Sequence, residues 1–381
     1  MMNSLFSRAF YKFCRKLKLK SALYKLFPPR DARKNAEKIR PVSQKEYLNA
    51  VGYLNEINKD EHSSMICKER DIVEEYDLDV IIPVYNTKEY LKECINSVLF
   101  QKTKYSFRLI IVDDGSTDGS GEALKNSWGG VDNVLIISRQ NGGHAAARNT
   151  ALMHVRARYI AFVDSDDVMA EGAIENLLSA AYANDADCVQ GGYVMFSGDG
   201  EESVLYKDRE CEMYGNYPNY VWGKVYKSRL WNGLCFPEGY WYEDTMAYHA
   251  FVFRIKKYFT ISPVVYRYRL HENSISHLSR FKTKAVDSLY VVLQCYRDNM
   301  SLGNVFTERN YIEQLEQILI SARRLECLGG KINRAAFNVL RGYVLGMYKS
   351  FPAPKGDANL LALENAILCN RYLAYRLCVC G

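Results

Sequence analysis

Apolar and polar positions alternate in blocks along this chain. Leu78-Asp79-Val80-Ile81-Ile82-Pro83-Val84 is a short, nearly continuous apolar run of the buried-strand kind. Asn86-Thr87-Lys88-Glu89 carries a capping-box pattern, and the helix expected after it has Leu91, Ile95, Val98 and Leu99 on one face. Arg108 to Val112 reads as a second strand, Asn133 to Ser138 as a third and Tyr159 to Val163 as a fourth. Helices are predicted over 143–155 and 171–184, the second with Ile174, Leu177, Leu178 and Ala181 as its inner stripe. Strands alternating with helices over short links predict an α/β fold, a doubly wound and mostly parallel sheet covered on both faces. In such sheets ligands bind beyond the carboxyl ends of the strands.

The flanks have another texture. Over residues 4–27, Phe6, Phe10, Phe13 and Leu17 recur at helical spacing among Arg8, Lys12, Arg15, Lys16, Lys18 and Lys20, and Pro28-Pro29 ends the pattern. Residues 30–77 are polar and charged, a linker with some helix. Beyond residue 280, Leu315, Ile318, Leu319, Ala322 and Leu325 mark a helix that Gly329-Gly330 breaks, and 335–348 and 359–377 are helical in pattern. The expected division is a basic helical N-terminal arm and linker over 1–77, an α/β domain over 78–279 and a helical C-terminal region over 280–381. Those last helices leave room for an oligomer.

Charge sharpens this division. The net charge of +6 hides an arm in which residues 1–40 hold twelve Lys or Arg against Asp31 and Glu37. A basic amphipathic helix suits an anionic membrane surface, its apolar face among acyl chains. The eleven cysteines are scattered, with no C-x-x-C pair and no zinc spacing, which favours a reduced compartment. No signal-peptide stretch and no window of 18 apolar residues is evident. The expected location is cytoplasmic, peripheral at the inner face of the membrane. No aromatic-basic platform of a nucleic-acid binder is evident in the folded part.

Three of the four strands run into polar clusters: Pro83-Val84-Tyr85-Asn86, Asp113-Asp114-Gly115-Ser116-Thr117-Asp118 and Asp164-Ser165-Asp166-Asp167. A single Asp after a strand is ordinarily a helix cap. Six carboxylates converging on one sheet edge repel one another by roughly 1 kcal/mol or more per close pair at intermediate dielectric. A divalent cation offsets that repulsion economically, and Asp-x-Asp offers hard oxygen ligands suited to Mg²⁺ or Mn²⁺.

With these residues the chain resembles a family 2 glycosyltransferase of the GT-A fold, of the bacterial surface-polysaccharide type. Ile82-Pro83-Val84-Tyr85-Asn86, Asp113 to Asp118, the Asn141-Gly142-Gly143-His144-Ala145-Ala146-Ala147-Arg148-Asn149 stretch and Asp164-Ser165-Asp166 are similar, in order, to that family's motifs. Trp222-Gly223-Lys224-Val225-Tyr226, Phe236-Pro237-Glu238-Gly239 with Tyr242-Glu243-Asp244-Thr245, and Tyr266-Arg267-Tyr268-Arg269 with His271 and Ser274-Ile275-Ser276 extend the likeness. It covers about half the chain and neither flank.

The resemblance implies a role for each position. Asp114, with Asp113 beside it, would bind the base of the nucleotide, uracil in most relatives, and Pro83 and Tyr85 would flank that base. Arg148 and Arg267 would contact the diphosphate. Asp164 would reach the donor ribose or metal-bound water. Asp166 would ligate Mn²⁺ or Mg²⁺, with His271 as a further ligand or phosphate contact, and Asp167 would act as a cap or support. Asp244 would be the general base that takes the acceptor hydroxyl proton, Glu243 positioning the acceptor or a helix terminus. The implied reaction is inverting transfer from a nucleotide sugar, UDP favoured, to a glycan or lipid-linked glycan.

Rival readings fit less well. A nucleotidyltransferase would carry a Gly-rich loop where Pro83-Val84-Tyr85-Asn86 stands, and a dinucleotide dehydrogenase needs G-x-G-x-x-G there. A catalytically silent scaffold that kept the fold is the remaining alternative, and the intact Asp164-Ser165-Asp166 and Glu243-Asp244 speak against it.

Overall fold

The computed structural model describes residues 33, 39–60, 63–198, 200–213, 216–271 and 281–379. The expected amphipathic helix over 4–27, its Pro28-Pro29 stop and Ser274-Ile275-Ser276 lie outside them. The chain divides into two compact units, a sheet unit of Ser63–Ser274 with Gln294–Leu302, and a helical unit of residues 1–62, 275–293 and 303–381.

Among its described residues the sheet unit holds ten strands: β1 (Tyr76–Val84), β2 (Phe107–Asp113), β3 (Val134–Ser138), β4 (Ala157–Phe162), β5 (Val168–Met169), β6 (Cys188–Ser197), β7 (Gly200–Val204), β8 (Arg209–Cys211), β9 (Lys224–Lys227) and β10 (Tyr258–Arg269). Their order is β3-β2-β1-β4-β9-β6-β10-β5, with β7 against β6 and β8 against β10. β3, β2, β1 and β4 run parallel, β9 is antiparallel between β4 and β6, and β10 returns parallel to β6. The last seven residues of β1 are all buried, as its unbroken apolar run requires. One face of β1 (Leu78, Val80, Ile82, Val84) packs with Leu91, Ile95 and Val98 of α2 (Lys88–Leu99) and with Leu177 and Ala181 of α5 (Ala173–Asn184). α3 (Ser120–Trp128) adds Leu124 to that layer. Buried Ala145, Ala146, Ala147 and Ala151 of α4 (His144–Leu152) lie against β1 and β2, where small side chains permit a close approach.

The capping box expected at the start of α2 does not form. Thr87 makes no side-chain cap bond. Its hydroxyl donates to Ser165 Oγ at 2.9 Å, and the Lys88 N–H donates to Asp118 Oδ2 at 3.0 Å. A carboxylate supplied by the β2 loop takes the capping role, and the local pattern gave no sign of it.

The boundaries expected for the domains also change. Helix α1 (Gln44–Ile57) does not belong to a linker. It packs on α9 (Gly330–Met347), so closely that a Cβ at Gly342 would lie 2.8 Å from the Tyr47 ring. Asn58 donates to Asp287 Oδ1 at 2.5 Å, and Tyr290 donates to Asn55 Oδ1 at 3.1 Å. Residues 63–75 belong to the sheet unit instead, with an Ile66–Leu234 bridge and the Arg70 N–H on Asn232 Oδ1 at 2.7 Å. The helical unit is completed by α8 (Glu308–Leu325), α10 (Ala358–Leu368) and α11 (Tyr372–Val379), while α7 (Asp287–Ser301) contributes to both units. The single helical stretch expected over 359–377 is two helices, parted at Asn370, whose φ of 56° is left-handed. Among the described residues no helix is long and apolar enough to cross a membrane.

Candidate active site

The carboxyl ends of β1, β2 and β4 bring their polar clusters to one edge, where the sheet rule places a ligand. At the end of β1, Pro83 is buried and Tyr85 is 43% exposed, an open aromatic face beside the β2 loop. Asn86 follows at φ 53°, and its Oδ1 accepts from the Thr117 N–H at 2.7 Å.

The two aspartates ending β2 do different things. Asp113 Oδ1 accepts from the Ser116 N–H at 3.0 Å, and its Oδ2 lies where a Cβ on Gly121 would be 2.3 Å away, so Asp113 braces its own loop. Asp114, 1% exposed, accepts from Gly143 N–H at 2.6 Å and from Gly142 N–H at 3.1 Å, with Arg139 Nη1 3.5 Å away. An ionised carboxylate offers about four lone-pair sites. Acceptor capacity therefore remains on Asp114 while it pins the loop before α4.

The Ala147-Arg148-Asn149 run turns two side chains toward elements distant in sequence. Arg148, 3% exposed, donates through Nη2 to Asp164 Oδ1 at 2.7 Å and through Nη1 to Glu243 Oε1 at 2.5 Å. Burial works against the guanidinium charge, but Asp164, Glu243 and Asp244 outweigh it and hold the group protonated. Arg148 is thus an interior bridge between two carboxylates, where an open diphosphate contact was expected. Its Nε is buried without a hydrogen-bond partner among the described residues, and the guanidinium carbon lies 5.3 Å from the centre of the Phe236 ring. Asn149 clamps the Phe236 backbone from both sides, donating to its carbonyl at 2.9 Å and accepting from its N–H at 2.8 Å.

Beyond Phe236 the chain turns through Tyr242, whose φ of 65° is costly for an aromatic residue and marks a held conformation. Glu243 and Asp244 follow immediately. Asp244 stands at the N-cap of α6 (Thr245–Phe251), yet its side chain makes no cap bond. Glu243 is committed to Arg148.

At the end of β4, Asp166 Oδ2 and His271 Nε2 are 2.9 Å apart, which unites the two residues expected to hold a metal. His271 Nδ1 is buried without a hydrogen-bond partner among the described residues. Burial, with Asp166 and Asp164 beside it, pushes the Asp167 carboxyl well above the usual range. Among the described residues, no three His, Cys, Asp or Glu side chains are grouped to hold a metal alone. The Asp166–His271 pair would suit a hard divalent cation only with further oxygen ligands supplied from outside these side chains.

The Arg267 side chain turns toward β7. It pairs with Glu201 of β7 at 2.5 Å and lies 5.0 Å from the Phe196 ring centre. Arg269 reaches the turn instead, its Nε donating to the Asp166 carbonyl at 2.8 Å. Both arginines stand in one Tyr-x-Tyr-Arg run, and without the β10 register the sequence offers no means of choosing between them.

A model of the glycosyl transferase family 2 domain matches residues 79–258, which contain most of β1, all of β2 to β9, and Asp244. Glycosyltransferase GlyG of Streptococcus pneumoniae serotype 4 is 31% identical over 221 residues, covering 52% of this chain and 72% of GlyG. The chain belongs to glycosyl transferase family 2. Glycosyltransferase GlyA of the same organism is 32% identical over 222 residues, covering 53% of this chain, which spans about a third (32%) of GlyA. The minor teichoic acid biosynthesis protein GgaA of Bacillus subtilis is 29% identical over 238 residues, covering 57% of this chain and 52% of GgaA. Among solved structures, residues 1–349 of S. aureus TarS in complex with UDP-GlcNAc superpose at a TM-score of 0.62 and 17% identity, covering 80% of this chain and 90% of TarS 1–349. The mixed α/β sheet is similar to the GT-A fold of TarS, and a helical C-terminal region is present beside it.

Proposed function

We propose that this family 2 glycosyltransferase moves a sugar from a UDP-sugar to a hydroxyl of a glycan or lipid-linked glycan, inverting the anomeric centre. The observation that carries the reading is the Asp164–Arg148–Glu243 bridge, which ties the donor end of β4 to the turn presenting Asp244. Tyr85 and Pro83 flank the base and the Asp114 loop reads its edge. Asp164 faces the ribose. Asp166 and His271 would hold Mn²⁺ or Mg²⁺, which supplies positive charge to the leaving diphosphate.

Asp244 accepts the acceptor hydroxyl proton as that oxygen forms a bond to the anomeric carbon. The bond from that carbon to the diphosphate oxygen breaks, and its electron pair leaves with UDP. A single displacement needs one base and no protein nucleophile, which agrees with Asp244 standing beside a Glu243 that is bridged to Arg148. TarS with UDP-GlcNAc supports a uridine donor, and the teichoic acid relative supports a cell-surface acceptor. The charge and Phe stripe of residues 4–27 suit docking on an anionic membrane, where a lipid-linked acceptor resides. A screen of UDP-sugars for UDP release tests the reading. No turnover with any UDP-sugar, alone or with a lipid-linked acceptor, would sink it.

A further inference from the structure

The Asp164-Ser165-Asp166-Asp167 turn is gripped from two sides. From α2, Cys94 Sγ donates to the Asp164 carbonyl at 3.5 Å and the Thr87 hydroxyl donates to Ser165 Oγ at 2.9 Å. From β10, the Tyr266 hydroxyl donates to Asp167 Oδ2 at 2.7 Å and accepts from the Asp164 N–H at 3.1 Å. The Arg269 N–H donates to Asp167 Oδ1 at 2.7 Å, while its Nε holds the Asp166 carbonyl. Asp167 is 1% exposed and both its oxygens are taken by β10, so it is aimed away from any ligand.

Tyr266 has little freedom. It is 1% exposed, and its ring stacks on Trp222 at 4.5 Å between centroids and 11° between planes. Trp222 stacks in turn on Tyr220 at 3.7 Å and 8°. Gly223, at φ 67°, lets the chain turn directly beside the Tyr266 Cβ. Arg269 is fixed between the Tyr90 and Phe196 rings and reaches Glu93. His271 lies two residues past Arg269, so the strand end that donates to Asp167 also delivers the imidazole to Asp166.

We propose that Asp167, Tyr266 and Arg269 form a latch that sets the distance between Asp166 and His271, and hence the affinity for the metal–diphosphate pair. These are positioning residues, and none of them ligates. The inference rests on the metal role given above to Asp166 and His271. Residues that orient metal ligands typically govern affinity by about 10–100-fold. Tyr266→Phe removes one oxygen, keeps the stacked ring and releases both Asp167 Oδ2 and the Asp164 N–H.

Calorimetry of UDP with the full chain, with Mn²⁺ and in EDTA, tests the latch. Tyr266→Phe should lose about tenfold or more of the Mn²⁺-dependent UDP affinity and leave the affinity in EDTA unchanged. Asp167→Asn, which can still accept from Arg269 N–H, should lose less than Asp167→Ala. Tyr258→Phe is the structural control: its buried hydroxyl donates to Gln190 Oε1 at 2.8 Å, and its loss should lower the melting temperature without touching metal dependence. Wild-type Mn²⁺ dependence in both Tyr266→Phe and Asp167→Ala would overturn the latch, as would an equal loss in Tyr258→Phe. A wild-type chain that binds UDP equally in EDTA would instead overturn the metal role on which the latch depends.

Discussion

Arg148 and Glu243 are joined at 2.5 Å across 95 positions of sequence, and Asp164 holds the other terminal nitrogen of the same guanidinium. Two carboxylates need a planar fork, which a single ammonium cannot replace. Arg148→Lys should therefore lower kcat by about 10²-fold, the usual effect of a ~1 Å misplacement, with a smaller change in UDP affinity. Arg148→Met leaves both carboxylates uncompensated and should cost up to about 3–5 kcal/mol, less for their partial exposure. Thermal melts and steady-state kinetics of both variants check this. A lysine variant with normal kcat would take the bridge out of catalysis.

Asp244→Asn should retain UDP affinity and lose about 10²–10⁴-fold in turnover, because the base acts on the acceptor and only in the transition state. The measurement is UDP release at saturating donor beside UDP titration of the same sample. Weakened UDP binding with normal saturated turnover would make Asp244 a structural residue.

Asp166→Asn should remove most of the Mn²⁺ dependence of UDP binding while the EDTA value stays put. His271→Ala should do so in part, since diphosphate oxygens and water complete the shell. Paired titrations with and without Mn²⁺ read both. Unchanged metal dependence in Asp166→Asn would move the cation elsewhere.

Lys224 is fully enclosed, with Nζ at the Tyr220 carbonyl and 4.0 Å from the Tyr220 ring centre. Burial draws its pKa down from 10.5 to about 7, against the pull of Cys188 and Asp244. Its folded pKa lies below its unfolded one, so the unfolded chain binds more protons between these values. Stability from this group therefore rises with pH from about 7 to about 10 and is penalised in full below that window. Lys224→Met should flatten the slope, its stability relative to wild type being greatest near pH 6.5. Urea denaturation at intervals from pH 6.5 to 9.5 reports it. Parallel slopes would show the ammonium to be stably charged.

Removing residues 1–30 should abolish salt-sensitive binding to anionic liposomes and leave donor turnover intact, each basic residue near such a surface contributing about 1 kcal/mol. Removing residues 1–62 also strips α1 from α9 and should lower the melting temperature and the solubility of the helical unit. Sedimentation with liposomes and thermal melts on both truncations separate the two effects. Liposome binding that survives loss of residues 1–30 would end the membrane assignment for the arm.

The apolar period and the polar strand ends alone determined the β1 to β4 half of the sheet, the flanking helices α2, α4 and α5 but not α3, and the meeting of Asp114, Asp164 and Asp166 at one edge. Those signals are local, since a buried strand must be apolar throughout and a helix must show its stripe. Three things were decided only by tertiary structure. Arg148 became an interior bridge and Arg269, in place of Arg267, reached the Asp164–Asp167 turn, because the partner of a long cation depends on register and on chain far away. α1 joined the C-terminal helices, because an amphipathic face shows that a helix needs a neighbour and never which one. Asp118 displaced the capping box at α2, because a backbone N–H takes whichever acceptor the fold brings nearest, and here that acceptor came from the loop of another strand.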